Sequence, residues 1–357
     1  MDKICRKKRV ELYDVLRVIA IILVVLGHSQ YYDIGQFGSA ITYQLPSDIN
    51  PAWNDKILAC FRSLSGWVYS FHMPLFFMLS GAVLRLKPMV KFDDFIVSKA
   101  KRLLMPYFAA GLFFMIPIKR LSDFYTSDNL WTGISIFLSY GQTGHLWFLI
   151  TLFWCMLVFY MIHKINEQYL GDYDTNLILI SLLLYLVGND LINFDFFGFK
   201  STFSYLIWFN IGYVFENVRK NIDLNISVYE GIGICIILGS LEYFDWGRNY
   251  FNIFFKIICG STFILSISYV ISKFYHKIIE TKIFKIMLEY SFMVYLLHDS
   301  LNYFILKIWF NYGFLHTVWG CYMYSFMRFF GLYIICILIA ILLKRIRLVV
   351  MRKYQSI

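Results

Sequence analysis

Apolar residues along this chain gather into runs about as long as a hydrocarbon layer is thick, separated by short polar segments. A ~30 Å layer needs about 20 residues of helix, with some latitude for tilt. On that criterion ten spans are read, at about 12–31, 67–84, 103–118, 144–163, 177–192, 202–216, 228–243, 250–272, 286–308 and 319–343. The first follows the basic segment MDKICRKKR, but its apolar run is longer than a signal-peptide core and no small-residue cleavage site follows, so it is read as a retained helix. The longest polar segment outside the expected spans, 32–66, is too short for a separate domain. The pattern predicts an all-α integral membrane protein: a single domain over 1–357, built as a bundle of about ten transmembrane helices.

Lys and Arg orient this bundle. Of the 33, 23 fall in the segments on the same side as the two termini, 6 on the other side, and 4 within spans. Positive charge is retained on the cytoplasmic face, so both termini are expected there, in a multi-pass protein of the cell membrane. Composition agrees: the 357 residues are 59% apolar, 20% aromatic and 16% charged, against about 45–50% apolar and about 25% charged in soluble domains. The net charge of +10 lies in loops and termini, not in a basic stripe interleaved with aromatics, so no nucleic-acid partner is expected. Seven cysteines without CxxC spacing, most of them in apolar runs, indicate neither a disulfide framework nor a metal site.

Ionisable residues inside spans are costly, so each is a candidate for function. The first span holds Asp14, Arg17 and His28. Arg17 and His28 are 11 residues apart, which puts them within about 20° of one helix face and roughly 16 Å apart along the axis. His72 falls in the second span at a depth close to that of His28, and Ser80-Gly81 in the same span would admit a closely packed helix. Lys99 and Arg102 end the most basic segment, His145 and Trp147 open the fourth span, and His298 lies past the middle of the ninth, beside Asp299. Structural readings compete with these. Arg17 can snorkel to the interface, His145 beside Trp147 reads as an interfacial anchor, Lys99 and Arg102 serve orientation, and His298 suits a hydrogen bond to a neighbouring helix.

Taken in order, these strings resemble the acyltransferase 3 family of integral membrane acyltransferases. DVLRVIAIILVVLGH carries the basic residue and the His with ten residues between them (Arg17 and His28), and HMPLFFMLSG (72–81) looks like the second-helix motif. Lys99-x-x-Arg102 followed by LLMPY resembles the basic loop, with Lys where the family often has Arg, while HLWFL (145–149) and VYLLHDS (294–300) resemble two later landmarks. The likeness covers nearly the whole chain and corresponds to the short form, without the extracytoplasmic hydrolase-like domain of larger relatives. It implies an O-acyltransferase that takes an acyl group from acetyl-CoA or another short acyl-CoA and passes it to an extracellular polysaccharide or lipid-linked saccharide, surrounded by membrane lipid.

The implied roles are phosphate binding by Arg17, Lys99 and Arg102, and catalysis by His28 as general base, or as a nucleophile forming an acyl-histidine. His72 would relay or donate to the oxyanion, and His145, Trp147 and His298 would contact substrate. No metal is expected. The competing reading is an exporter of polysaccharide or lipid-linked saccharide. It is disfavoured by the one-sided basic cluster and by the lack of paired helix-breaking Gly or Pro in two half-repeats.

Overall fold

A computed structural model describes residues 10–29, 51–125, 129–139, 144–191, 196–221, 227–243, 250–311 and 317–355. The basic N-terminal segment 1–9 and most of the polar segment 32–66 lie outside the described residues. Fifteen α-helices, joined in places by 3-10 or π turns, make up these residues, and none of them forms a strand.

Helix α1 (Glu11–His28) opens with Glu11 and Asp14 in its first turn, where carboxylates offset the positive end of the helix dipole. It ends at Ser29, whose N–H donates to the Val25 carbonyl. Helix α2 (Pro51–Arg85) begins 16 residues before the expected span, so part of the presumed outer loop is helical. Helix α3 (Phe92–Lys99) then runs into a helical stretch broken by two π segments, Ala100–Leu104 and Gly111–Met115, which lead into α4 (Met105–Ala110) and α5 (Ile116–Leu121). Each π segment stands just before a proline, Pro106 or Pro117. A proline lacks the N–H for the i−4 bond and its ring crowds that carbonyl, and widening the preceding turn relieves both.

Helix α6 (Leu130–Ser139) occupies a stretch expected to be loop. Ten residues are too few to register as a span, and tertiary contacts support the helix instead. Phe137 stacks on Tyr107 with ring centroids 4.5 Å apart, and the Tyr107 hydroxyl donates to the Phe137 carbonyl at 2.9 Å. Then follow α7 (Trp147–Tyr169), α8 (Asp174–Leu191), α9 (Ser201–Asn221), α10 (Val228–Tyr243), α11 (Tyr250–Phe274) and the short α12 (His276–Glu280). The chain closes with α13 (Lys282–Asn311), α14 (Val318–Phe326), a π segment at Met327–Gly331 and α15 (Leu332–Gln355).

Among the described residues four helical stretches are long and apolar enough to cross a membrane, Ser63–Arg85, Phe92–Leu121, Asn252–Phe274 and Tyr322–Ile346, and a fifth candidate, Leu130–Tyr169, takes in residues 140–143, which lie outside the described residues. Helices α1 and α13, which carry His28, His298 and Asp299, pack against each other, with α2 and α11 also on α1. Burial between helices is what makes their charged residues tolerable.

Helices α2 and α9 share the most extensive contact, and they cross at glycines. A Cβ added to Gly81 would lie 1.9 Å from the Phe209 carbonyl oxygen, and one on Gly212 would lie 1.9 Å from that of Met78. Small residues that bring backbones together are the usual means of helix association in lipid. Gly81→Ala is therefore expected to cost about 1–3 kcal/mol by forcing the helices apart, read as a lowered melting temperature in detergent. Gly66→Ala, on the same helix with nothing within 4 Å of the new carbon, serves as the control and leaves the melting temperature unchanged or slightly raised.

Candidate functional site

His28 is the last residue of α1, with its side chain 16% exposed. Its Nδ1 lies 3.2 Å from Asp299 Oδ1 and 3.3 Å from the Tyr69 hydroxyl. Asp299 comes from α13, where Tyr295, Asp299, Asn302 and Leu306 follow at i, i+4, i+7 and i+11 and share one buried face. The other carboxylate oxygen, Oδ2, lies 3.1 Å from His145 Nδ1. One carboxylate thus faces two imidazoles that stand 117 residues apart in the chain.

His145 sits on a single 3-10 turn, Gly144–Leu146, that starts α7. Gly144 has φ +65, a conformation that favours glycine, and a Cβ there would lie 3.1 Å from Lys119 Nζ and 3.4 Å from Asp299 Oδ2. That turn carries His145 inward until Nε2 reaches the Leu296 carbonyl at 3.1 Å, while its own carbonyl accepts from the Tyr295 hydroxyl at 2.6 Å. Both ring nitrogens face acceptors, so both contacts form together only when each carries a proton.

Two buried cations frame this carboxylate. Lys119, 1% exposed, lies over the rings of Phe124 and Tyr303 at 4.8 and 4.7 Å. Arg328, fully buried in the π segment Met327–Gly331, donates from Nε to Asn302 Oδ1 and from its terminal nitrogen to the His28 carbonyl, each at 3.0 Å. Arg328 therefore ties the end of α1 to α13 and α15. π turns inside helices often mark functional positions, and this one has no proline to account for it.

His298 is fully buried, with its ring 5.0 Å from the rings of both His28 and His145. Its Nδ1 donates to the Tyr295 carbonyl at 2.8 Å, and its Nε2 is buried without a hydrogen-bond partner. It lines neither cavity described below, and so stands one layer behind the position expected of a substrate contact. His72 donates from Nδ1 to the Val68 carbonyl at 2.9 Å, which leaves Nε2 as an acceptor. The Tyr69 ring stands between His28 and His72, with centroids 5.6 and 4.9 Å away.

Two cavities meet beside α1. The outer one, about 400 Å³, is lined by His28, Tyr69, His72, His145, Trp147 and other residues. Pro74 borders it too, and withholds the N–H that would otherwise bond the Ser70 carbonyl. The inner one, about 340 Å³, has Arg17, Lys87, Lys99 and Arg102 in its wall, together with apolar side chains of α2, α7 and α13. Val24, Met73 and Tyr295 line both, so the cavities adjoin there. All three residues expected to bind phosphate share the inner cavity, and four of the five expected to act on substrate share the outer one. Lys99 rests its ammonium 4.7 Å over the Phe95 ring, which steadies it at the cavity wall.

A family model for an acyltransferase domain, that of acyltransferase 3, matches residues 11–345 of the 357. The chain belongs to the acyltransferase 3 family. No curated protein and no solved structure matches it. As a membrane acyltransferase, the protein has its His and basic landmarks grouped around two joined cavities, and α1 runs along both.

Several residues of this acyltransferase site were not assigned a role from sequence. Asp299 and Arg328 carried a usable signal, since both are charged and both fall within apolar runs. Lys119 falls one residue beyond the expected span 103–118, where a Lys reads as part of a polar loop. Tyr69 is one of 27 tyrosines and has no distinguishing pattern.

Proposed function

We propose that this acyltransferase moves a short acyl group, most simply acetyl, from cytoplasmic acyl-CoA to a hydroxyl of an extracytoplasmic or lipid-linked glycan at the cell membrane. The chain crosses ten times, with both termini in the cytoplasm. The observation that carries the reading is the pair of adjoining cavities, with cations around one and an imidazole–carboxylate pair at the other.

Arg17, Lys99 and Arg102, joined by Lys87, hold the CoA phosphates, since guanidinium and ammonium groups bond phosphate oxygens strongly. The acyl-bearing arm passes Val24 and Met73 and brings the thioester to His28, roughly 16 Å along α1 from Arg17. Asp299 accepts the Nδ1 proton of His28 and leaves Nε2 with the lone pair, the arrangement that makes an imidazole a general base. The glycan hydroxyl loses its proton to Nε2 as its oxygen bonds to the thioester carbon. The tetrahedral intermediate then expels sulfur, the imidazolium returns the proton to the thiolate, and an ester and free CoA result.

Protonated His145, Lys119 and Arg328 outweigh the single charge of Asp299 and favour the anionic intermediate, because buried fixed charges act strongly across little water. His72, whose proton is committed to the Val68 carbonyl, cannot donate to the oxyanion and instead accepts at Nε2 from a hydroxyl of the sugar, Trp147 forms an apolar wall against the sugar, and His298 positions the two flanking imidazoles.

The test begins with the host's surface glycan, examined by NMR before and after mild alkali. Deletion of the protein is expected to leave polymer export intact and remove a base-labile ester, whereas loss of the polymer itself would favour an exporter. Reconstituted protein with labelled acetyl-CoA tests the donor. Arg17→Gln combined with Lys99→Gln is expected to raise the donor KM by about tenfold or more, with kcat within about threefold, as befits lost charge-assisted bonds. An unchanged KM would remove acyl-CoA from the inner cavity.

A further inference from the structure

A second pair of cavities lies on the other side of α1, away from the acyl-transfer site. The larger, about 1010 Å³, is bounded by α1, α9, α10 and α11 at the end of the bundle where α1 begins and α9 and α11 terminate. Three cations, Arg219, Lys220 and Lys273, stand in its wall against one carboxylate, Glu11. Glu11 is engaged by His276 at 3.1 Å. Arg219 is held in place by a fork to the buried Glu216, at 2.7 and 2.8 Å, and the Tyr13 hydroxyl also donates to that carboxylate. Lys220 is 45% exposed with its ammonium 3.8 Å from Glu216, and Lys273 is exposed with its ammonium on the Tyr269 hydroxyl at 2.8 Å.

The smaller cavity, about 230 Å³, continues from the first, with Phe215, Thr262 and Leu265 common to both walls. It runs between α1, α2, α9 and α11 past Leu75, Met78, Ile211 and Ile258, so its surface is mostly hydrocarbon. The Ser261 hydroxyl in its wall is buried without a hydrogen-bond partner. A cationic mouth that leads into an apolar arm matches a molecule with an anionic head and a hydrocarbon tail. Inorganic phosphate or a free nucleotide would leave the arm unused. Glu11 and Leu12 border this space whereas Arg17, Ile21 and Val24 border the donor cavity, so the two lie on different faces of α1.

We propose that the cavity between α1, α9, α10 and α11 binds an anionic glycerophospholipid, its phosphate on Lys220 and Lys273 and one acyl chain in the apolar arm. Basic pockets between transmembrane helices on the cytoplasmic side are a recognised setting for acidic headgroups. The site depends on the membrane setting of the chain and not on the acyl-transfer chemistry, so each can fail without the other. A lipid wedged there ties together α9 and α11, both of which touch α1 or α2, and so steadies the helix that carries Arg17 and His28.

Native mass spectrometry of the full-length protein in detergent tests this, with phosphatidylglycerol and phosphatidylcholine of matched chains. Wild type is expected to retain phosphatidylglycerol over phosphatidylcholine by about tenfold, and Lys220→Gln with Lys273→Gln to reduce that preference to about twofold or less. Both lysines are exposed at helix ends, so the double variant keeps its fold. Ser261→Met, which narrows the arm, is expected to weaken binding of both lipids. Equal retention of the two lipids by wild type, or a preference that survives the lysine changes, overturns the proposal. So does displacement of phosphatidylglycerol by glycerol 3-phosphate or by acetyl-CoA at equal concentration, which would mark a simple anion site or a nucleotide site.

Discussion

His28→Ala is expected to lower kcat for acyl transfer about 10³-fold, within the range lost when a positioned general base is removed. The donor KM should stay within about threefold, because the cations assigned to CoA line the other cavity. The helix end should survive the substitution. Arg328 bonds the backbone carbonyl of residue 28, which alanine retains, and the lost imidazole is partly exposed. Activity is measured with reconstituted protein, labelled acetyl-CoA and acceptor glycan, at matched folded fraction by size-exclusion chromatography. Added imidazole should restore part of the lost rate by entering the vacated space. Turnover within about threefold of wild type would remove the general-base role from this residue.

Asp299→Asn is expected to have an effect of similar size, a fall in kcat of about 10³-fold or more, by analogy with the loss when a carboxylate that fixes a catalytic imidazole becomes an amide. The carboxylate accepts from His28 on one oxygen and from His145 on the other. An amide has one oxygen, so its NH₂ meets one of the two N–H groups donor to donor, and that ring must change tautomer or turn away. Stability should fall too, because Lys119 would remain buried without the neighbouring anion, and breaking a buried pair costs about 3–5 kcal/mol.

A double variant separates the two effects. Asp299→Asn with Lys119→Met removes the uncompensated ammonium and is expected to recover much of the lost melting temperature but none of the lost kcat. Recovery of both would make Asp299 a structural residue only. Full activity of Asp299→Asn alone would dissolve the pairing with His28.

The family and the main candidate residues were legible because they are written in local patterns. Spans follow from run length, the shared face of Arg17 and His28 follows from helical geometry over 11 residues, and the close approach at Gly81 follows from residue size. These properties belong to one segment at a time and need no knowledge of its neighbours. Helix α6 was not legible, since Phe137 and Gly133 find support only when Tyr107 and Tyr125 are brought to them. The early start of α2 was likewise hidden, because polar residues such as Asn54 and Asp55 in its first turns read as loop.

The site shows the same division. Sequence alone determined that this is a helical membrane protein of the acyltransferase 3 kind, with Arg17 and His28 on one face of its first helix. Tertiary structure decided which groups surround His28. Asp299, Lys119, His145 and Arg328 come from α13, α5, the turn before α7 and the π segment before α15. Their grouping around His28 cannot be read from spacing, because no periodicity links α1 to segments 91 or more residues further along the chain. Only the packing of α1 against α13, which buries these charges together because none could be buried alone, makes the carboxylate a partner of both imidazoles.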